Sequence, residues 1–171
     1  MLILVVETRY FYNALEMHGD DTMYKTILAP LDGSKRAETI LKHVEQLAFR
    51  YDAKVIFLQV LKPPTRTDYT IPHPEIFERL FDDELREAQR YLDGHKGQFM
   101  EKNIKSKSLA VFGSVVKEIL RVAEHEKVDL ITIFSHGRGG LSRLFYGSVA
   151  AGVLNRADRP LLVIRARSVI K

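Results

Sequence analysis

The chain has 171 residues, the size of one domain, long enough to bury roughly two thirds of its unfolded surface. It is 46% hydrophobic and 28% charged with no cysteine, which describes an ordinary globular protein and removes disulfides and thiolate metal sites. The net charge is only +4, and Lys and Arg alternate with Asp and Glu along the helical stretches, which argues against a nucleic-acid face.

Residues 1–22 stand apart from the rest. The apolar run Leu2 to Val6 has no basic residues ahead of it and no small-residue cleavage site behind it, so it does not read as a signal peptide. No run approaches the ~20 apolar residues that span a bilayer. The expected location is therefore the cytoplasm, away from membranes. Glu7 to Thr22 carries no sustained period, and a second start-like residue, Met23, precedes the first convincing strand. Residues 1–22 thus read as an N-terminal extension to a domain of residues 23–171. It is either loosely held, as termini commonly are, or an added strand on a sheet edge or a partner subunit.

From Tyr24 the pattern is regular. Thr26-Ile27-Leu28-Ala29 is a strand, Pro30 to Ser34 the turn after it, and Ser34 a suitable helix cap. Ala37, Ile40, Leu41, Val44 and Ala48 recur at helical spacing. Val55 to Leu61 is almost continuously apolar, as a strand covered on both faces must be. Lys62-Pro63-Pro64 ends it, and the polar segment to Pro74 is long enough to suggest a flap over a site. A long helix carries Phe77, Leu80, Phe81, Ala88, Leu92 and Phe99 on one side, with Gly94 and Gly97 expected to fray or bend its last third.

Ser108 to Phe112 is the third strand, closed by Gly113-Ser114, and Val116, Ile119, Leu120 and Ala123 stripe the next helix. Val128 to Phe134 is the fourth strand, followed by a glycine-rich loop and a helix opening at Gly147-Ser148. Leu161 to Ile164 is the fifth. The alternation predicts an α/β fold: an open, five-stranded, mostly parallel, doubly wound Rossmann-like sheet with helices on both faces.

In such sheets ligands sit beyond the carboxyl ends of the strands, where the strand order reverses. Pro30 and Asp32, Val60, and the loop from Phe134 to Ser148 are the residues available there. Glycines let backbone N–H groups approach an anion, and a helix start adds more of them, so a phosphate-containing ligand is the expectation. The loop is neither a P-loop, since no Gly-Lys-Ser/Thr follows, nor the dinucleotide fingerprint, which follows a first strand. Each residue also has a plainer role. Asp32 suits a turn, Ser148 a helix cap, and Arg138 and Arg143 either a phosphate clamp or surface charge. His136 has no acid or nucleophile placed to work with it, and the other histidines show no ligand spacing.

Residues 23–166 resemble the universal stress protein family. The resemblance rests on Tyr24-Lys25-Thr26-Ile27-Leu28-Ala29-Pro30-Leu31-Asp32-Gly33-Ser34, on Gly137 followed after Arg138 to Tyr146 by Gly147-Ser148, and on Arg159-Pro160-Leu161-Leu162-Val163-Ile164-Arg165. The first glycine of the family signature falls on Phe134, where bulk stands to crowd a nucleotide. The resemblance implies an adenine-nucleotide alpha-hydrolase-like fold and a site for ATP or a related adenine nucleotide, with or without Mg²⁺. It implies base and ribose contacts around Pro30, Asp32 and Val60, and phosphate contacts from Gly137, Gly147, Ser148 and Val149, with Arg138 beside them.

The expected function is a small stress-response protein acting as a regulatory homodimer with an unidentified protein partner. The alternative is a nucleotide-free interaction module in which Phe134 fills the site. A third reading, ATP hydrolysis, finds no Walker lysine, base or arginine finger, so any turnover should be slow. The fifth strand, Leu161 to Ile164, reads as an apolar edge that a symmetry mate would cover.

Overall fold

The computed structural model describes residues 3–7, 23–63, 74–135 and 147–165, with the side chains of 3–7, 74–78 and 165 outside the description. In chain order the strands are β1 (Ile3–Glu7), β2 (Thr26–Pro30), β3 (Lys54–Leu61), β4 (Ser106–Phe112), β5 (Leu130–Ser135) and β6 (Leu161–Arg165). The helices are α1 (Leu41–Tyr51), α2 (Pro74–Glu101), α3 (Val115–His125) and α4 (Ser148–Leu154), with a 3₁₀ turn at Ala37–Ile40 leading into α1.

All the strand pairs are parallel, in the order β1-β6-β5-β2-β3-β4. From β2 the chain winds outward through β3 to β4, then returns to the other side of β2 for β5 and β6. The five expected strands and their doubly wound order are present. The sheet reverses direction between β2 and β5.

A core lies on each face. On one, Val44 and Leu47 of α1 and Leu92 and Phe99 of α2 pack on Ile27, Val55 and Phe57. On the other, Ile119 and Val122 of α3 and Ala150 and Val153 of α4 pack on Leu28, Ile56, Ile131 and Val163. Strands buried on both faces need no polar alternation, which is why β3, β5 and β6 read as nearly continuous apolar runs. The close approach of α4 to α3 depends on Gly152, where a Cβ would stand 2.8 Å from a methyl of Val116.

Two expectations change. Helix α2 runs unbroken to Glu101 through Gly94 and Gly97, because Leu92 and Phe99 bind its last third to the core. The Phe99 ring meets Phe57 edge-on at 4.9 Å. Second, Leu161 to Ile164 is not the open edge that a symmetry mate would cover. Strand β1 lies beside it in register from Ile3↔Leu161 to Glu7↔Arg165, so β6 is interior and, among the described residues, β1 is the outermost strand. Ile3-Leu4-Val5-Val6 is apolar at successive positions and too short to declare a period, so only the pairing reveals its role.

Side-chain clips hold the strand ends. Asp129 Oδ2 accepts from the Lys25 and Thr26 amides at 2.8 Å each, tying the start of β2 to that of β5. Thr132, fully buried, donates to the Leu28 carbonyl at 3.0 Å. The Arg159 guanidinium donates to the carbonyls of Ala123 at 2.7 Å and Val128 at 3.1 Å, closing the end of α3.

Candidate functional site

At the reversal between β2 and β5 lies a cavity of about 250 Å³. The chain reaches its rim by the turn after β2. Gly33 takes a left-handed φ of +80°, open to glycine at little cost. Asp32 Oδ1 accepts the Ser34 amide at 3.0 Å, and Ser34 Oγ in turn accepts the Ala37 amide at 3.1 Å. The turn role expected of Asp32 is present, whereas Ser34 is not a helix cap: it braces the turn through Ala37, and the N-cap positions of the 3₁₀ turn and of α1 fall on Arg36 and Ile40. The Asp32 carboxylate is exposed. Asp32 also lines the cavity.

Five of the sequence-predicted residues line the cavity together: Pro30, Asp32, Gly147, Ser148 and Val149. Val60 does not. It is half-buried at the end of β3 and packs against the core shared with α3 and α4. Gly137 and Arg138, with His136 and Arg143, lie outside the described residues, as does the segment 64–73 of the expected flap.

Helix α4 begins one residue earlier than a Ser148 cap would have it. Gly147 occupies the cap position with an extended ψ of 157°, and Ser148, exposed, is the first helical residue. Among the described residues no side chain caps this helix.

The remaining lining is apolar: Leu31 and Ala37 from the first turn, Val115 and Ile119 from α3, Ile133 and Phe134 from the end of β5, and Ala150 from α4. Sequence reasoning singled out only Phe134 among these. Val115 had a signal, since it follows Gly113-Ser114 at the carboxyl end of a strand. Ile133 had none, being one apolar residue in a run of them. Phe134 is 9% exposed and forms part of the wall.

Behind the turn, a polar cluster braces the 3₁₀ segment that carries Ala37. Glu38 binds Lys35 Nζ at 3.0 Å and receives the Tyr91 hydroxyl at 3.4 Å, while His95 Nε2 stands 3.8 Å from its Oε1. Burial, and then the Glu38 carboxylate, push the Tyr91 phenol above its ordinary value. Burial holds His95 below the usual imidazole range, with Glu38 opposing. The His95 ring meets Tyr91 edge-on at 4.8 Å.

The arrangement offers an apolar cavity, one exposed carboxylate, one hydroxyl and a helix start that no described side chain caps. That combination can hold a small planar, partly polar ligand; no pair of side chains among the described lining residues is placed for general acid and base work.

Comparison with known proteins follows the same outline. The sequence model of the universal stress protein family matches residues 23–165. Universal stress protein MJ0577 of Methanocaldococcus jannaschii is 31% identical, over 85% of this chain and 98% of its own length. Universal stress protein MJ0531 of the same organism is 30% identical over 96% of this chain and 95% of its own. The solved structure of MJ0577 superposes with a TM-score of 0.70, covering 85% of this chain and 99% of that one. Two more distant universal stress proteins share the fold. One, in complex with cAMP, has a TM-score of 0.58 at 19% identity, covering 83% of this chain and 97% of its own. The other, from Archaeoglobus fulgidus in complex with dAMP, has 0.55 at 18%, covering 82% and 98%.

Proposed function

The chain belongs to the universal stress protein family, and we propose that it is a cytoplasmic regulatory protein that binds an adenine nucleotide at the junction of β2 and β5. The observation that carries this reading is the cavity at the sheet's point of reversal, where Pro30, Asp32, Gly147, Ser148 and Val149 converge. The complexes of two family members with cAMP and dAMP support adenine as the base.

Base and ribose fit the apolar cavity, with the Asp32 carboxylate as acceptor for a ribose hydroxyl or the exocyclic amine. Phosphates extend toward Gly147 and Ser148, away from the carboxylate that would repel them. Asp32 is the only carboxylate among the described lining residues, so Mg²⁺ would arrive with ATP rather than on a protein site.

Dimerisation belongs to the same proposal. With β6 covered, β1 is the sheet's open strand on that side, and pairing Ile3–Glu7 with its symmetry mate would satisfy its outer backbone groups. Light scattering that returns the mass of two chains supports this, and the mass of one chain at tens of micromolar contradicts it.

Titration of AMP and ATP into wild type and Asp32→Ala tests the nucleotide site. Loss of a hydrogen bond to a charged acceptor should weaken binding about tenfold or more. Equal affinity in the two proteins counts against the site, and no binding in either returns the chain to a nucleotide-free interaction module.

A further inference from the structure

Ala37, a buried residue of the cavity wall, opens the 3₁₀ turn, and Glu38 is the residue after it. Lys35 reaches the Glu38 carboxylate from the same segment, and because the Lys35 side chain is 91% exposed that pair holds little. The tie to another element comes from α2. Tyr91 donates its hydroxyl to Glu38 Oε1 at 3.4 Å, and one turn further along His95 Nε2 stands 3.8 Å from the same oxygen, too far for a hydrogen bond. Both belong to the stretch of α2 that Leu92 and Phe99 seat in the core, so they act from a firm platform. The His95 side chain is mostly buried, edge-on to the Tyr91 ring and 6.3 Å from that of Phe57. Among the described residues, the charged or titratable groups facing His95 are Glu38 and Lys35 from the turn segment and Tyr91 from its own helix; β3 offers Phe57, and Gln98 is a neutral neighbour.

We propose that Glu38 is a positioning residue for the nucleotide cavity and that protonation of His95 tightens its hold, so that the site binds its ligand more strongly in mild acid. This rests on the adenine-nucleotide reading above and concerns the regulation of that site. With His95 neutral, the Tyr91 hydroxyl gives Glu38 one long hydrogen bond from α2. An imidazolium carries a proton on both ring nitrogens, and closing the gap to Oε1 by about 1 Å turns it into a charge-assisted hydrogen bond. Glu38 adjoins Ala37, so the added bond fixes the cavity wall to α2. A wall already held costs the ligand less to order, and the gain in affinity arises there. Burial resists the proton while Glu38 favours it, so the step falls below the ordinary imidazole value of 6.5. By reciprocity, bound ligand makes His95 easier to protonate.

Adenosine is the probe, because it has no phosphate to titrate between pH 7.5 and 5.5 and any step then belongs to the protein. It is titrated calorimetrically into the full chain at both pH values, in wild type, His95→Gln and Glu38→Ala, with thermal unfolding at each pH to show that each protein is folded. Wild type should bind adenosine about fivefold more tightly at pH 5.5, the scale of a modest coupling between two sites. His95→Gln should bind equally at the two pH values. Glu38→Ala should bind more weakly than wild type at pH 7.5 and also show no step. In wild type, the midpoint of the His95 ring titration followed by NMR should rise when adenosine is added. Wild-type affinity that is unchanged or weaker in acid overturns the proposal, as does a step that persists in folded His95→Gln or Glu38→Ala. A wild-type midpoint unmoved by bound adenosine overturns it as well, and that measurement needs no variant. Each of these leaves the nucleotide site standing. Wild-type protein that binds neither adenosine nor AMP nor ATP at either pH defeats the nucleotide reading itself.

Discussion

Arg159 shows how much one side chain can hold. Its side chain is 15% exposed and donates to the carbonyls of Ala123, near the end of α3, and Val128, just before β5, while its ion pairs reach Glu124 and Asp158, both well exposed. The exposed pairs contribute little; the carbonyls, left unpaired, cost more. Arg159→Ala should lower unfolding free energy by about 1–3 kcal/mol in urea denaturation, and a change within error would show that water replaces the guanidinium. Histidine gives a second prediction. Burial holds both His95 and His43 below the ordinary imidazole value of 6.5. The unfolded chain therefore binds more protons than the native one as pH falls through that value. Their contribution is whole above pH 6.5 and lost on acidification. The thermal midpoint should drop between pH 7.5 and 5, and His95→Gln should flatten part of that drop. An equal drop in the variant would assign the effect elsewhere. At this scale the sequence was partly legible. The turn chemistry of Asp32 and Ser34 could be read from their types and their place after a strand. The cluster around His95 could not: Tyr91 lies one turn away on the same helix, but Glu38, which joins them, arrives from an element distant in the chain.

Elements were more legible than residues, because burial on both sheet faces forces long apolar runs and helical stripes. The strands from Thr26 to Ile164 were readable for that reason. What escaped were features set by pairing and packing. The continuity of α2 past Gly94 and Gly97 is decided by Leu92 and Phe99 seated in the core, which outweighs the local cost of two glycines. The start of α4 at Ser148, with Gly147 as cap, is a matter of backbone angle that residue type suggests only to within one position. Strand β1 was legible only as one of two readings of residues 1–22, an added strand on a sheet edge, since five residues with no polar alternation carry no period, and its pairing with β6 decides for that reading. Deleting residues 1–22 should uncover backbone groups along one side of β6. In dilute solution its alternate amides should then exchange hydrogen faster than in the full chain. Unchanged protection would show that the β1–β6 pairing does not hold the strand.

For the whole molecule, the order β1-β6-β5-β2-β3-β4 does the positioning. Winding outward from β2 and then returning to its other side leaves the carboxyl ends of β2 and β5 adjacent with no connection crossing between them, and the cavity is the consequence. The place of a site could thus be expected from alternation of elements alone. Part of its lining could not: Val115 and Ile119 come from α3, on the return leg, and only the folded sheet brings them to the same cavity as Asp32 and Ala37. The central claim is that this crevice holds an adenine nucleotide, and the most direct measurement is denaturing extraction of freshly purified full chain followed by nucleotide analysis, with AMP and ATP titrated calorimetrically into the emptied protein. The account predicts co-purified adenine nucleotide or a dissociation constant in the micromolar range. Protein that comes away empty and takes up neither AMP nor ATP would contradict it.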